Sequence, residues 1–395
     1  MTRGGQAAGL LSASITGNCM SRIALLVHHL YLHIPFCHRV CPYCSFYKHT
    51  PGATPMAEFV EAVLIEARRQ SAEHDLHLET VYLGGGTPTA LSETHLERLL
   101  AGLHETLDLS AVKEFTCEVN PRTVTESKAA MMKGQGIDRI SLGIQAWDEP
   151  TLKTLGRDHA PADAEETYHL LRAAGFRSVN VDLMFSIPGQ SVEAWQQTIE
   201  HTISLKPDHI SAYNLNYEED TEFFERLRRG QYREDESRDA EYFHTALDLL
   251  ESAGYEHYEI SNYARPGHRS AHNESYWMGE EYLGLGPSAF STVQSHRWQN
   301  IPDTTRYLEL IKSGQSAAQP GEHLTPAQRR TERFGLELRT ARGLPLGLVD
   351  EPERRMVQVL QSEGLLTVQE EYIRLTRVGK PLVDSVAVAL LGDHE

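Results

Sequence analysis

The chain has 395 residues, 40% of them hydrophobic and 23% charged, an ordinary soluble-domain composition that excludes a disordered chain. Fifty-five acids against 37 bases leave a net charge of −18, which disfavours nucleic acid as a general partner. No apolar run reaches the roughly 18–20 residues that span a bilayer, so an integral membrane protein is not expected.

The length exceeds what one core usually organises, so a large domain and a smaller one are expected. Residues 1–29 read as an N-terminal tail. Met1 to Asn18 is rich in Gly, Ala and Ser, carries the single base Arg3, and makes a poor secretory signal. Met20 is an alternative start. His28 and His29 read as flanking polar residues.

From residue 31, strands and helices alternate. Strands are expected at 31–36, 79–83, 114–119, 139–144, 179–187 and 209–215. Helices are expected at 56–70, 91–107, 125–133, 163–174 and 192–205, with Ser92 as an N-cap and Gly134 and Gly175 as stops. Repeated βα units imply a parallel sheet with right-handed crossovers. Six units, at 30–220, are too few for a closed eight-stranded barrel. An open three-quarter barrel and a doubly wound sheet both fit, and either gathers chemistry at the C-terminal strand ends.

Past residue 220 the alternation stops. The segment 221–324 is an extension with a helix at 240–253, a strand at 257–263 and a Gly/Pro-rich stretch at 283–287. Residues 325–395 form a smaller unit in which helix 353–363, a hairpin-like run at 365–376 and helix 379–391 suggest a winged-helix arrangement. Its charges nearly balance, without the basic stripe that DNA would require.

Five cysteines are present, and their placement matters more than their number. Cys37, Cys41 and Cys44 crowd into eight residues after the first strand, while Cys19 and Cys117 stand alone, the latter mid-strand and read as a buried small hydrophobe. Clustered thiols without a disulfide framework point to a reducing cytoplasm. Three thiolates can hold an iron–sulfur cubane with one iron open to a further ligand. They can equally hold zinc, with His33, His38 or His49 as the fourth ligand. After the second strand comes Gly84-Gly85-Gly86-Thr87-Pro88, whose missing side chains let backbone approach a ligand closely. Glu118, Asn120, Gln145 and Asp182 fall at strand ends, and Arg157 is a carboxylate partner in waiting. Each alone also reads as an ordinary hydrogen-bonding residue.

Taken together, the cysteine spacing after strand one and the triple glycine after strand two resemble the radical SAM superfamily. The resemblance implies a [4Fe-4S] cluster on Cys37, Cys41 and Cys44, with S-adenosylmethionine (SAM) at the open iron. Tyr31 to Cys37, Gly143-Ile144-Gln145, Leu155-Gly156-Arg157 and Asp182 to Gly189 look like the oxygen-independent coproporphyrinogen III dehydrogenases. That family implies SAM contacts at Tyr31, Gly85, Gly86, Thr87, Glu118, Gln145, Arg157 and Asp182.

One departure separates two branches. The oxidases continue Cys-x-Cys after the third ligand, whereas here Phe46 follows Cys44-Ser45. Phenylalanine at that point resembles the sister group, the radical SAM haem chaperones of the HemW type. His272-Asn273-Glu274-Ser275-Tyr276-Trp277 matches that group's HNxxYW motif. The resemblance implies haem contacts at His272, Asn273, Tyr276 and Trp277, with His272 as ligand to the haem iron. It also implies transfer of haem to apo-haemoproteins, membrane respiratory subunits among them. The alternatives are radical decarboxylation of coproporphyrinogen III, and a zinc-stabilised binding protein without redox chemistry. By composition alone, the His272 cluster also reads as core.

Overall fold

A computed structural model describes residues 26–392. The expectations for Cys19, Met20 and most of the tail lie outside the described residues. The first half comprises β1 (Val27–Ile34), α1 (Met56–Glu73), β2 (Leu76–Gly85), α2 (Glu93–Thr106), β3 (Glu114–Val119), α3 (Glu126–Gly134), β4 (Arg139–Gln145), α4 (Glu149–Thr154), α5 (Pro161–Ala174), β5 (Ser178–Phe185), α6 (Val192–Leu205) and β6 (His209–Asn214). Ser92 caps α2 by accepting the His95 N–H, and Gly175 ends α5 in the left-handed region at φ 75°.

β1 to β6 pair parallel in unbroken chain order. A doubly wound sheet must reverse its order part-way to place helices on both faces. This sheet does not reverse, and α1, α2, α3 and α5 each pack on their neighbour along the chain. The helices therefore clothe one face, the sheet curls around the other, and the partial barrel is the architecture. β1 starts at Val27, inside the segment expected to be tail, because Val27 and Leu30 are fully buried in the main core.

The extension continues this sheet at both edges. It comprises α7 (Glu222–Arg228), α8 (Glu236–Ser252), β7 (Glu256–Glu259), β8 (Asn262–Ala264), α9 (Ala271–Trp277), β9 (Tyr282–Leu285), β10 (Phe290–Val293), β11 (His296–Gln299), α10 (Thr304–Lys312) and β12 (Glu322–His323). The single strand expected at 257–263 is instead the β7–β8 hairpin, with β8 antiparallel to β6. Its turn is held by the Glu259 carboxylate, which accepts the Ser261 N–H. β9 lies parallel to β1 and carries β10, β11 and β12 beyond it, giving twelve strands in one sheet.

The last unit comprises α11 (Pro326–Glu337), β13 (Leu344–Pro345), α12 (Glu351–Ser362), β14 (Leu366–Gln369), β15 (Tyr372–Leu375) and α13 (Val383–Leu391). Its three antiparallel strands and three helices enclose a separate core around Phe334, Leu360, Ile373, Val386 and Leu390. Ile260 packs against both cores and joins them. No helix among the described residues is long and apolar enough to cross a membrane.

One buried carboxylate ties the extension to the barrel. Glu66 lies on the core-facing side of α1, 4% exposed. It accepts from the Gly286 N–H (2.8 Å), the Tyr307 hydroxyl (2.7 Å) and the Asn300 amide (2.7 Å). Three donors converging on one carboxylate compensate its desolvation, although burial still raises its pKa. Glu66→Ala should destabilise the chain by about 2–5 kcal/mol in urea unfolding, because it leaves several buried donors unpaired. Glu66→Gln, which keeps an acceptor, should cost less.

Candidate functional site

The cysteine loop leaves β1 and folds back on it. Cys37 N–H donates to the His49 carbonyl, His49 N–H to the Pro35 carbonyl, and Cys44 N–H to the Cys41 carbonyl. The thiols of Cys37, Cys41 and Cys44 are free, half-buried and line one cavity of about 390 Å³. Burial pushes the Cys37 thiol up to about 11 and raises Cys44 as well. A metal centre would therefore have to displace protons to bind there.

The zinc alternative finds little support here. His33 uses both ring nitrogens, on the Tyr31 hydroxyl (3.1 Å) and the Tyr47 carbonyl (2.7 Å). His49 does the same with the Thr304 hydroxyl and the Thr50 carbonyl, each at 2.8 Å. His38 is exposed. Among the described residues, no three Cys, His, Asp or Glu side chains gather on one ion. Three free thiols lining one cavity, with His33 and His49 engaged elsewhere, suit a cluster that takes three thiolates and leaves one iron open.

The triple glycine is laid against the cysteine loop. Gly86 N–H donates to the Ile34 carbonyl and Thr87 N–H to the Phe36 carbonyl. A Cβ on Gly86 would stand 2.7 Å from the Phe36 carbonyl oxygen, so only glycine permits this approach. The Thr87 hydroxyl lies 3.6 Å from Cys37 Sγ and accepts from the Asn120 amide at 2.6 Å. Arg157 donates to Asn120 Oδ1 and to the Gly143 carbonyl, each at 2.6 Å, and reaches Cys41 Sγ at 3.7 Å. Its Nε is buried without a partner. A buried guanidinium with a spare donor beside three thiols is a ready receptor for a carboxylate.

Below these groups the wall is built by alternation along the strands. Arg139, Ser141, Gly143 and Gln145 on β4 line the cavity, as do Asn180, Asp182 and Met184 on β5 and Ser211 and Tyr213 on β6. Asp182 accepts from Ser141 (2.9 Å) and Asn180 (2.7 Å), and burial raises its pKa. Glu118 accepts from the Tyr82 hydroxyl at 2.9 Å, yet burial pushes it up to about 7.

Of the residues expected to contact SAM, Gly85, Gly86, Thr87, Glu118, Gln145, Arg157 and Asp182 all line this cavity. Tyr31 does not. It stacks behind Tyr82, which takes the cavity face. The sequence reading missed Tyr82, Arg139, Ser141, Asn180, Ser211 and Tyr213 as wall residues. The two-residue period of polar side chains in β4 to β6 was the signal that could have found all but Tyr82, which lies on β2.

The HNxxYW segment forms α9, which closes the N-terminal end of the barrel. The Glu114 carboxylate caps it, accepting from the Ala271 N–H (2.9 Å), the His272 N–H (3.1 Å) and the Ser270 hydroxyl (3.3 Å). His272 is 1% exposed. Its Nδ1 meets the Thr80 hydroxyl at 2.7 Å, its Nε2 meets the Tyr276 hydroxyl at 3.1 Å, and its ring stacks on Tyr82. Thr80 also bonds His29 (2.9 Å), which bonds Glu280 (2.7 Å). His29 is thus a buried link in this chain of bonds, not a flanking residue. Burial lowers His272 to about 3. Both ring nitrogens of His272 are thus engaged by hydroxyl groups, and ligation of haem iron would exchange one of these bonds for the metal. Tyr276 and Trp277 are half-buried and outside the cavity, the latter under the Arg339 guanidinium, and only Asn273 of the four reaches the cavity wall.

The barrel, its cysteine loop and the glycine turn facing it define a radical SAM protein, and the family model of the radical SAM superfamily matches residues 31–202. The chain is 31% identical over 376 residues to "Heme chaperone HemW" of Bacillus subtilis (strain 168), covering 92% of this chain and 99% of that protein. The Escherichia coli (strain K12) protein of the same name is 32% identical, with 92% and 98% covered. That of Lactococcus lactis is 37% identical over 280 residues, 71% of this chain and 73% of the relative. The chain belongs to the HemW family of radical SAM proteins. Among solved structures, coproporphyrinogen III oxidase (HemN) from Escherichia coli shares the fold, with a TM-score of 0.80 at 22% identity, 92% of this chain and 89% of that one. Membership of the superfamily implies SAM and a [4Fe-4S] cluster.

Two outcomes follow from this geometry. The folded chain, free of cofactors, holds the Glu118 proton up to about pH 7, whereas an unfolded carboxyl loses it near 4.5. The folded state thus holds more proton at this site across that window, and Glu118 contributes a fall in stability as pH rises from about 4.5 to 7, against the opposite contribution of His33, His159, His257 and His272, which burial holds neutral in the fold. Glu118→Gln should remove this contribution, so that in urea unfolding the variant gains stability relative to the parent as pH rises from about 4.5 to 7, while Glu259, which burial also pushes to about 7, keeps its own. His272→Ala should lower the stability of the cofactor-free chain by about 2–4 kcal/mol, because it leaves Thr80 and Tyr276 short of a partner and opens a void under Tyr82.

Proposed function

We propose that this chain is a cytoplasmic haem chaperone that receives haem and passes it to apo-haemoproteins, membrane respiratory subunits among them. Family membership along 92% of the chain is the observation that carries this reading. Phe46 supports it, standing where the oxidase pattern calls for a further cysteine and lining the cavity while 66% exposed.

In this reading Cys37, Cys41 and Cys44 hold the [4Fe-4S] cluster and leave one iron for SAM. When bound, the cluster supplies an electron within reach of the SAM sulfonium. The chain's own residues set the conditions for that. The Gly84–Gly86 backbone leaves room for the amino group, and the spare donor of Arg157 receives the carboxylate. Gln145 and Asp182 offer polar partners to the ribose, and Glu118, largely protonated below pH 7, can donate as well as accept.

The test is a haemin titration of the anaerobically reconstituted chain, followed at the Soret band, then mixing with an apo-haemoprotein. Saturable binding near one haem per chain and movement of the Soret band to the acceptor are expected. Absence of saturable binding overturns the reading. Formation of protoporphyrinogen from coproporphyrinogen III under reducing, anaerobic conditions would place the chain with the oxidases instead.

A further inference from the structure

One buried cation in the barrel has no partner. Arg139, the first residue of β4, is 1% exposed and lines the cavity on the same strand face as Ser141, Gly143 and Gln145. Its Nε is buried without an acceptor, and its side chain has no hydrogen bond or ion pair among the described residues. Arg157, by contrast, spends donors on Asn120, Gly143 and Cys41 and keeps its Nε spare. We propose that Arg139 is the base of a second ligand site inside the barrel, which takes the carboxylate of a small organic acid. The site does not depend on the haem reading.

The acceptors whose charge Arg139 feels are already engaged. Glu114 takes the Ala271 and His272 N–H groups and the Ser270 hydroxyl. Asp182 takes Ser141 and Asn180, whose own carbonyl oxygen meets His209 and Ser211. The Tyr258 hydroxyl meets His209 and the Ser270 N–H, and that of Tyr82 donates to Glu118. Burial alone would lower the pKa of this guanidinium, yet the charge of Glu114 and, less, of Asp182 holds it above its ordinary value. Balance at that range keeps Arg139 charged without occupying its five N–H donors. A buried charge with open donors is costly until an anion completes it.

SAM does not supply that anion. Arg157 holds the Gly143 carbonyl, four residues along β4 from Arg139, or about 13 Å at the rise of a strand. SAM carries one carboxylate, so a molecule bound through Arg157 leaves the lower guanidinium open. The planar fork of one guanidinium matches one carboxylate with two parallel bonds. A phosphate would bring a second negative charge into a cavity that Asp182 and Glu118 also line, and like charges disfavour it there. The hydroxyl and amide groups of Ser141, Asn180, Ser211 and Asn273 make the nearby wall polar, which suits an acid with a short polar body.

Propionate serves as the probe, with propionamide as its uncharged isostere and inorganic phosphate as the competing anion. Each is titrated against the anaerobically reconstituted chain at saturating SAM, and the thermal midpoint is followed. Propionate should raise the midpoint saturably, by about 1–2 °C at ten times its dissociation constant. Propionamide should leave it unmoved, and phosphate should act at least ten-fold more weakly. Arg139→Lys should weaken propionate, and Arg139→Gln should abolish its effect. A crystal of the parent grown with SAM and propionate should show the carboxylate on the Arg139 guanidinium, a readout that holds even where a variant fails to fold. Ordered water alone on Arg139 overturns the site, as does the absence of any shift in the parent, or an equal shift in Arg139→Gln or with propionamide. A shift that appears only without SAM puts the probe on Arg157 and overturns it too. Phosphate binding as tightly as propionate overturns the choice of a carboxylate.

Discussion

A partial barrel has two ends and an open side, and something must close the end that the chemistry does not use. Here the closure is one carboxylate on a helix end. Glu114, at the first residue of β3, takes the free N–H groups of Ala271 and His272, 157 and 158 residues further along the chain. A buried carboxylate needs donors and a helix N-terminus needs an acceptor, so each satisfies the other. α9 is thereby drawn across the barrel floor. Once it is there, Thr80 and Tyr276 complete the bonds of His272, and Thr80 links it to His29.

The interior above that floor is unusually polar for a core. Arg139 is 1% exposed, and Glu118, Asp182, Asn180 and Ser141 surround the same space. Such a lining would be costly in a packed barrel and is sensible in one built to be filled by a polar ligand. Burial raises the pKa of Asp182 and pushes that of Glu118 up to about 7, which eases the approach of an anionic carboxylate near Arg157 despite the acidic chain. The close approach of the glycine turn to the cysteine loop places this receptor beside the thiols.

The segment least legible in advance was the extension. Its strands are short, four residues or fewer, and lack the alternation that marks a strand in sequence. What holds them is pairing with β6 and β1, and the bonds to Glu66, an acid on an otherwise apolar helix face. The polar helix α11 escaped notice for a related reason, since it buries little beyond Phe334 and Glu337. Neither feature leaves a periodic trace.

By itself the sequence determined the six βα units, because apolar runs bounded by glycines and caps need only local physics. It also determined the thiol cluster and the glycine turn, because both lie in short contiguous motifs. Strand and helix periodicity left open whether the sheet reverses or curls. That depends on which strands pair, which is settled by contacts between residues tens of positions apart. His272 shows the same division most sharply. Six contiguous residues identified it as special, but whether its nitrogens face a ligand or the protein depended on Glu114, Thr80 and Tyr82, which only the folded chain brings to it.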